Sequence, residues 1–292
     1  MLFGASTWLW TSPFDGSDPA LLGKIARLGF DFVEIPVENP EAMDVEGIRR
    51  ELERTGLRAI VCAAIVGDRD FSSPDLTKVA VAQAYLRSCI ELAREWGSPV
   101  VVGPLYAPVG KARLPTGEAR RAEWDRTVDR LRQVAGIAAD HDVRLGLEPL
   151  NRFETDMVNT TADAMRMVAE IGSDHVGVSL DSFHMNIEEV DFCRAIETAG
   201  DRLWHLQVSD SHRGVPGEGN SDWSGLREGL RRINYSGRVS IESFSPDSSS
   251  LSEAVCIWQR FAESQDAFAE RGLRFLKQWQ VGGDAAPAGE SK

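Results

Sequence analysis

The sequence lacks the features that would assign it to membrane, secreted or nucleic-acid-binding proteins. No apolar run approaches the roughly 20 residues that a membrane-spanning helix needs. The first residues, MLFGASTWLW, have no basic segment and too short an apolar run for a signal peptide. Basic residues are outnumbered, since 32 Lys and Arg against 45 Asp and Glu give a formal charge of −13. Such a surface repels nucleic acid and anionic membranes, so we expect neither as a partner.

Paired cysteines and a glycine-rich turn are also missing. The four cysteines, Cys62, Cys89, Cys193 and Cys256, show no CxxC pair and no spacing typical of a metal site. Unpaired cysteines suit a reducing compartment, so we expect a cytoplasmic protein. The missing glycine-rich first turn argues against an open, doubly wound sheet with a dinucleotide site.

Short apolar runs alternate with longer amphipathic stretches along the 292 residues. The runs predict strands over Leu2–Ser6, Asp31–Ile35, Arg58–Ala63, Pro99–Gly103, Arg144–Glu148, His175–Asp181, Leu203–Val208 and Arg238–Glu242. The stretches predict helices near Pro19–Leu28, Val45–Arg54, Asp75–Trp96, Gly117–His141, Thr161–Ile171, Asp191–Ala199 and Trp223–Ile233, with an interrupted helix over Ser252–Trp279. This alternation predicts an α/β fold, a closed (β/α)₈ TIM barrel in one domain over residues 1–280. The small, polar residues 281–292 are expected to be a disordered tail.

The fifth to eighth predicted strands each end on a polar side chain. Because alternate residues of a barrel strand point inward, apolar residues such as Trp204 and Leu206 should face the helices. The inward residues at the strand ends are then Glu148, Asp181, Gln207 and Glu242. Barrel active sites lie at this end, and crowded carboxylates repel each other unless they protonate or share a cation. The pattern therefore predicts a site for a divalent metal, although single residues of the set could instead form ordinary surface ion pairs.

Several segments resemble the ketose 3-epimerases of the tagatose/allulose epimerase group, within the xylose-isomerase-like barrels. They are EPLNRFE from Glu148, LDSFHMNIEE at 180–189, SDSHRG with the following PGEG, and IESF at 241–244. GFDFVEIP near residue 30 and AVCIWQRF near residue 254 extend the resemblance over nearly the whole chain. It is weakest around 104–118.

The resemblance implies that Glu148 and Glu242 bind a metal and act as an acid/base pair on opposite faces of a sugar carbon. Asp181 is then a third ligand, and the metal is manganese, with cobalt or magnesium as alternatives. Positions that match residues holding substrate oxygens are Glu154, His184 and Arg213. The chemistry is consistent, because loss of a proton beside a carbonyl gives an enediolate whose charge a cation and an arginine stabilise.

One position departs from the family pattern. Where the family has a metal-binding histidine in an H-x-H segment, this chain has His205-Leu206-Gln207. His205 should lie one inward layer deeper, roughly 6–7 Å along the strand, so Gln207 takes the ligand position. Its amide oxygen is neutral, like imidazole, but a harder donor. We therefore expect a metal to bind, with a preference shifted towards manganese.

The sequence thus predicts a metal-dependent isomerase or epimerase of keto-sugars, first of all a ketose 3-epimerase that forms an oligomer. One alternative is a C-glycoside deglycosidase catalytic subunit, a lyase that eliminates the aglycone from a 3-oxo-glycoside and pairs with a small partner chain. Another is an inactive sugar-binding barrel, against which the two retained glutamates argue. Glu34 could reach the barrel mouth, and three aromatic residues are candidates for either the pocket or the core: Trp8, Trp10 and Phe14.

Overall fold

Eight parallel strands close into a barrel in chain order. The structure is a computed structural model that describes residues 1–247 and 249–282. The strands are β1 (Leu2–Ser6), β2 (Phe32–Pro36), β3 (Arg58–Cys62), β4 (Val100–Gly103), β5 (Arg144–Leu147), β6 (Val176–Asp181), β7 (Leu203–Val208) and β8 (Arg238–Ile241). No strand bound differs from its predicted position by more than one residue. The (β/α)₈ prediction is confirmed.

Helices surround the barrel. They are α1 (Ala20–Leu28), α2 (Val45–Thr55), α3 (Leu76–Glu95), α4 (Gly117–Asp140), α5 (Thr161–Ile171), α6 (Ser182–Glu188), α7 (Phe192–Ala199), α8 (Trp223–Arg232), α9 (Ser249–Ala254) and α10 (Gln265–Gln280). The short helix α6, which follows β6 directly, is not among the predicted helices. The interrupted helix predicted over Ser252–Trp279 is in fact two helices, α9 and α10.

Local sequence signals set the helix ends. The side chains of Asp44, Thr116 and Asp222 each accept a hydrogen bond from a backbone N–H in the first turn of the helix that follows. These bonds satisfy donors that have no partner within the helix. At the other end, Gly29 and Gly56 adopt left-handed conformations that stop α1 and α2.

The inside of the barrel is divided between an apolar and a polar half. Side chains from β2, β3 and β4 form a buried inner cluster of Phe32, Ile60, Cys62, Val100 and Val102. Opposite them, β6 to β8 contribute the buried polar side chains Ser179, Asp181, His205, Gln207 and Ser240. The outward faces of the strands pack against the helices in the main core. The buried polar side chains inside the barrel therefore come mainly from β6 to β8, with Glu34 of β2 as an exception.

The predicted outward orientation of Trp204 is wrong. Its ring packs against the inner cluster and lies over Gly177, where an added Cβ would come within 2.8 Å of the indole. The cause is a register shift between β6 and β7, in which Val178 pairs with Leu203 but Ser179 pairs with His205. A bulge of this kind leaves one residue unpaired and can turn successive side chains to the same face. Leu206 does face the main core, as predicted.

The predicted tail over 281–292 lies outside the described residues from position 283 onward. Within the described part of the chain, no helix combines the length and the apolar character that crossing a membrane requires.

Candidate active site

The four predicted strand-end residues lie at the carboxyl end of the barrel. Glu148 and Glu242 come directly after β5 and β8, while Asp181 ends β6 and Gln207 lies in β7. All four are buried, with at most 4% of their surface exposed. Glu148 and Glu242 line a cavity of about 450 Å³ together with the three predicted substrate-binding residues, Glu154, His184 and Arg213. The structure thus brings these five predicted residues together at one cavity, whereas Asp181 and Gln207 are not among the residues that line it.

The two buried glutamates are held in an environment that disfavours their charged forms. Burial raises the pKa of Glu148 well above its usual value, and the neighbouring Glu242 and Asp181 raise it further. Burial likewise raises the pKa of Glu242 well above its usual value, although Arg213 opposes the change. A carboxyl group with a raised pKa keeps its proton to a higher pH than one in water, so it can donate a proton as well as accept one.

Arg213 lies between two of these carboxylates. Its Nη1 donates to the carboxylate of Asp181 and lies 3.0 Å from Oε2 of Glu242. The guanidinium also faces the ring of Phe183, at 4.2 Å from the ring centroid. Burial alone would lower the pKa of Arg213, but Asp181 and Glu242 outweigh it and the pKa is raised. The arginine is therefore a fixed positive charge within the cavity.

The surroundings of His184 determine where its proton lies. The backbone N–H of Asn151 donates to Nδ1 at 3.1 Å, and the Asn151 amide nitrogen lies 2.9 Å from the same atom. Nδ1 must then be unprotonated, which places the ring proton on Nε2. Burial lowers the pKa of His184, which favours this neutral form. Nε2 lies 3.3 Å from Nη2 of Arg213, so two donors converge where a substrate oxygen can accept from both.

Beneath the strand ends lies a buried polar network that the sequence did not predict as a unit. Glu34, on β2, accepts from His205 Nε2 and Ser240 Oγ, both at 2.7 Å. Its other oxygen accepts from Nε2 of Gln207 at 3.0 Å. Glu34 is fully buried and does not line the cavity, so it does not reach the barrel mouth, as the sequence had suggested it could, and contacts Gln207 instead. His205, predicted to lie one inward layer deeper than Gln207, contacts Glu34, a partner that the sequence did not predict.

The residues present fit a divalent cation. Glu148, Asp181 and Glu242 carry three negative charges against the single positive charge of Arg213, which leaves two negative charges uncompensated if all are ionised. Oε1 of Gln207 is buried and has no hydrogen-bond partner among the described residues. Oxygen atoms of this kind are the donors that Mn²⁺ and Mg²⁺ prefer. His184 lies within 4.8 Å of the Glu148 and Asp181 oxygens, but its protonated Nε2 is a donor and not a metal ligand.

Of the three aromatic candidates, one lines the cavity and two belong to the main core or pack against it. Trp8 lines the cavity and pairs with Phe244 at 5.6 Å between ring centroids. Phe14 is buried in the main core, and Trp10 packs against it. Asn151 and Phe244 were not singled out from the sequence, although both lie inside the motifs PLNRFE and IESF.

Comparisons with known proteins agree with this geometry. The xylose isomerase-like TIM barrel family matches residues 22–279. The L-ribulose 3-epimerase of Methylomonas sp. is 31% identical over 280 residues, 94% of this chain and 96% of the relative. The 3-dehydro-D-guloside 4-epimerase of Escherichia coli is 38% identical over 227 residues, 75% of this chain and 84% of the relative.

Among solved structures, a D-allulose 3-epimerase from Methylomonas sp. in complex with D-allulose superposes with a TM-score of 0.90 at 29% identity. The match covers 95% of this chain and 96% of that chain. These names confirm the prediction of a sugar epimerase, and none of them supports the lyase alternative. The chain belongs to the xylose isomerase-like TIM barrel family.

Proposed function

We propose that the protein is a metal-dependent ketose 3-epimerase. The observation that carries the proposal is the pair Glu148 and Glu242, two buried carboxylates that face the same cavity. One of them takes the proton from the carbon next to the ketose carbonyl, and the other returns a proton to the opposite face. The relatives named as 3-epimerases of L-ribulose and D-allulose support a free ketose as the substrate.

The remaining cavity residues bind and orient the sugar in this proposal. His184 donates from Nε2, and Arg213 donates from its guanidinium, to oxygens that gain negative charge as the enediolate forms. Glu154 accepts from Asn151 at 2.7 Å and presents its carboxylate to a sugar hydroxyl. Trp8 and Phe244 offer apolar surface to the carbon skeleton.

We assign the metal ligands to Glu148, Asp181, Gln207 and Glu242, with manganese as the cation and cobalt or magnesium as alternatives. A divalent cation held by these residues would supply positive charge that stabilises the enediolate. We also propose that residues 1–280 act as one domain of a cytoplasmic oligomer. The indole of Trp258, 71% exposed, is apolar surface that a second subunit can cover.

A second candidate is epimerisation at C4 of a 3-oxo-glycoside. The E. coli relative named as a 3-dehydro-D-guloside 4-epimerase favours it. The chemistry is the same, because C4 also lies beside the carbonyl of a 3-oxo sugar.

The first prediction is proton exchange at a defined carbon. Protein loaded with Mn²⁺ and incubated in D₂O with D-allulose, D-tagatose or L-ribulose should form the C3 epimer of at least one of them. The deuterium should appear at C3, as measured by NMR and mass spectrometry. Deuterium at C4 of a 3-oxo-glycoside, without exchange on any ketose, would establish the second candidate instead. Release of an aglycone without any exchange on free ketoses contradicts both.

A further inference from the structure

The side-chain amide of Gln207 is held by two carboxylates. Its Nε2 lies 3.0 Å from Oε1 of Glu34 and 3.1 Å from Oε1 of Glu242. An amide nitrogen has two hydrogens, so these two bonds use both of them. The oxygen of the same amide is buried and accepts no hydrogen bond from the described residues.

This arrangement selects one of the two orientations that the amide can adopt. If the amide turned over, Oε1 would face two carboxylate oxygens, and Nε2 would take the place of the unpartnered oxygen. An amide oxygen facing two carboxylate oxygens is repelled by both, and the buried amide hydrogens would lose both of their acceptors. The carboxylates therefore keep the donor side of the amide turned towards them and the acceptor side turned away.

Glu34 is the better placed of the two to fix this orientation. Its side chain is fully buried, and His205 and Ser240 both contact Oε2, which leaves Oε1 for the amide. Glu242, in contrast, also contacts Arg213 and is assigned a proton-transfer role, so its charge changes during the reaction. Glu34 has no proton-transfer role in this proposal, so it can accept the hydrogen bond from the Gln207 amide throughout the reaction.

We infer that Glu34 is a positioning residue that keeps Oε1 of Gln207 directed at the cation. The inference rests on the proposed function, in which Gln207 is a metal ligand. A positioning role of Glu34 also explains how a glutamine can serve as a ligand at the position where the family pattern has a histidine. An amide can turn either its oxygen or its NH₂ group towards a cation, and only the oxygen can bind it. A glutamine ligand therefore depends on a neighbouring group that fixes the orientation of the amide, whereas an imidazole does not have this ambiguity.

The test measures Mn²⁺ affinity by calorimetric titration of the metal-free protein. In Glu34→Gln, the new amide can donate to Oε1 of Gln207 and so permit the reversed orientation. We expect Mn²⁺ affinity to fall about 10- to 100-fold, the range found when a group that orients a metal ligand is removed. Ser179→Ala is the matched control, because Ser179 is a buried inward residue of β6 without a hydrogen bond to Gln207. It should bind Mn²⁺ like the wild type.

A second background separates positioning from a structural role. In Gln207→His, the imidazole can bind the cation through one nitrogen and donate from the other to position 34, whether that side chain is a carboxylate or an amide. Adding Glu34→Gln to this variant should therefore lower Mn²⁺ affinity by a smaller factor than it does in the wild type. A structural role of Glu34 instead lowers affinity equally in both backgrounds, along with the melting temperature of the metal-free protein.

Each outcome decides between the inference and the function on which it rests. Unchanged Mn²⁺ affinity in Glu34→Gln, or an equal loss in both backgrounds, overturns the inference and leaves the metal site intact. A wild-type protein that binds no Mn²⁺ overturns the metal-dependent function as well. If Glu34→Gln does not fold, Glu34→Asp keeps the charge but withdraws the carboxylate by one methylene. Its Mn²⁺ affinity should fall in the wild-type background more than in Gln207→His.

Discussion

Glu148 and Glu242 show how burial gives an ordinary side chain an unusual role. Both have carboxylates that are almost fully shielded from water, and both have raised pKa values for that reason first. Asp181 adds negative charge near each of them, while Arg213 acts in the opposite direction. At the residue scale, the candidate chemistry depends on these two carboxyl groups more than on any other.

We therefore expect Glu148→Gln and Glu242→Gln each to lower kcat at least about 100-fold, as is typical when an acid or base is lost. Both replacements keep the shape of the side chain, so the thermal unfolding profile should remain cooperative. Glu91→Gln, an exposed position on α3, is the control and should keep full activity. A folded glutamine variant with near-normal turnover would remove that glutamate from the acid/base pair.

At the scale of elements, the strand ends determine where the site residues lie. Gly103 ends β4 with φ at +128°, and an added Cβ would lie 2.1 Å from the backbone oxygen of Ala63. Its own carbonyl accepts from the backbone N–H of Glu148 at 3.0 Å. A side chain at this position cannot be accommodated without moving the end of β4, and with it the residue that follows β5.

Gly103→Ala should accordingly lower the free energy of unfolding by about 1–3 kcal/mol, the cost of a residue held in an unfavourable conformation. Urea denaturation measures the change. Gly136→Ala is the matched control, because Gly136 lies within α4 and an added Cβ would meet nothing within 4 Å. There the same replacement should stabilise the protein by about 0.5–1 kcal/mol, through helix propensity. Equal effects at the two glycines would show that the positive φ of Gly103 and its close approach to Ala63 do not restrict this position.

At the scale of the whole molecule, the balance of charge links metal binding to stability. The chain carries a formal charge of −13, and several of its carboxylates are gathered in one buried site. Buried charges without compensation are costly, so a cation that binds only the folded chain stabilises it.

Adding Mn²⁺ should raise the melting temperature, by an amount equivalent to about 2.7 kcal/mol at 100 times the dissociation constant. Removing it with a chelator should reverse the effect. Asp181→Asn should diminish the Mn²⁺-dependent rise, whereas Glu228→Gln, at a partly exposed position on α8, should retain it. A melting temperature that is indifferent to Mn²⁺ in the wild type would argue against a site assembled from these carboxylates.

The barrel and the strand-end positions of four candidate site residues follow from the sequence alone, since both depend on signals that are local in the chain. Alternating side chains place Glu148, Asp181, Gln207 and Glu242 at strand ends, and closure of the barrel brings the ends together. The inward orientation of Trp204 could not be predicted from alternation, because a bulge depends on the register between two strands and not on either strand by itself.

Only the tertiary structure decided how the site residues contact one another. Gln207 and Glu34 are separated by 173 positions, and nothing in either segment shows that the carboxylate of one accepts from the amide of the other. The position of Arg213 between Asp181 and Glu242 likewise depends on the conformation of the loop between β7 and α8. Periodicity determines which face of a strand a side chain occupies. Its hydrogen-bond partners are determined by which strands face each other across the barrel, and that is a property of the closed fold.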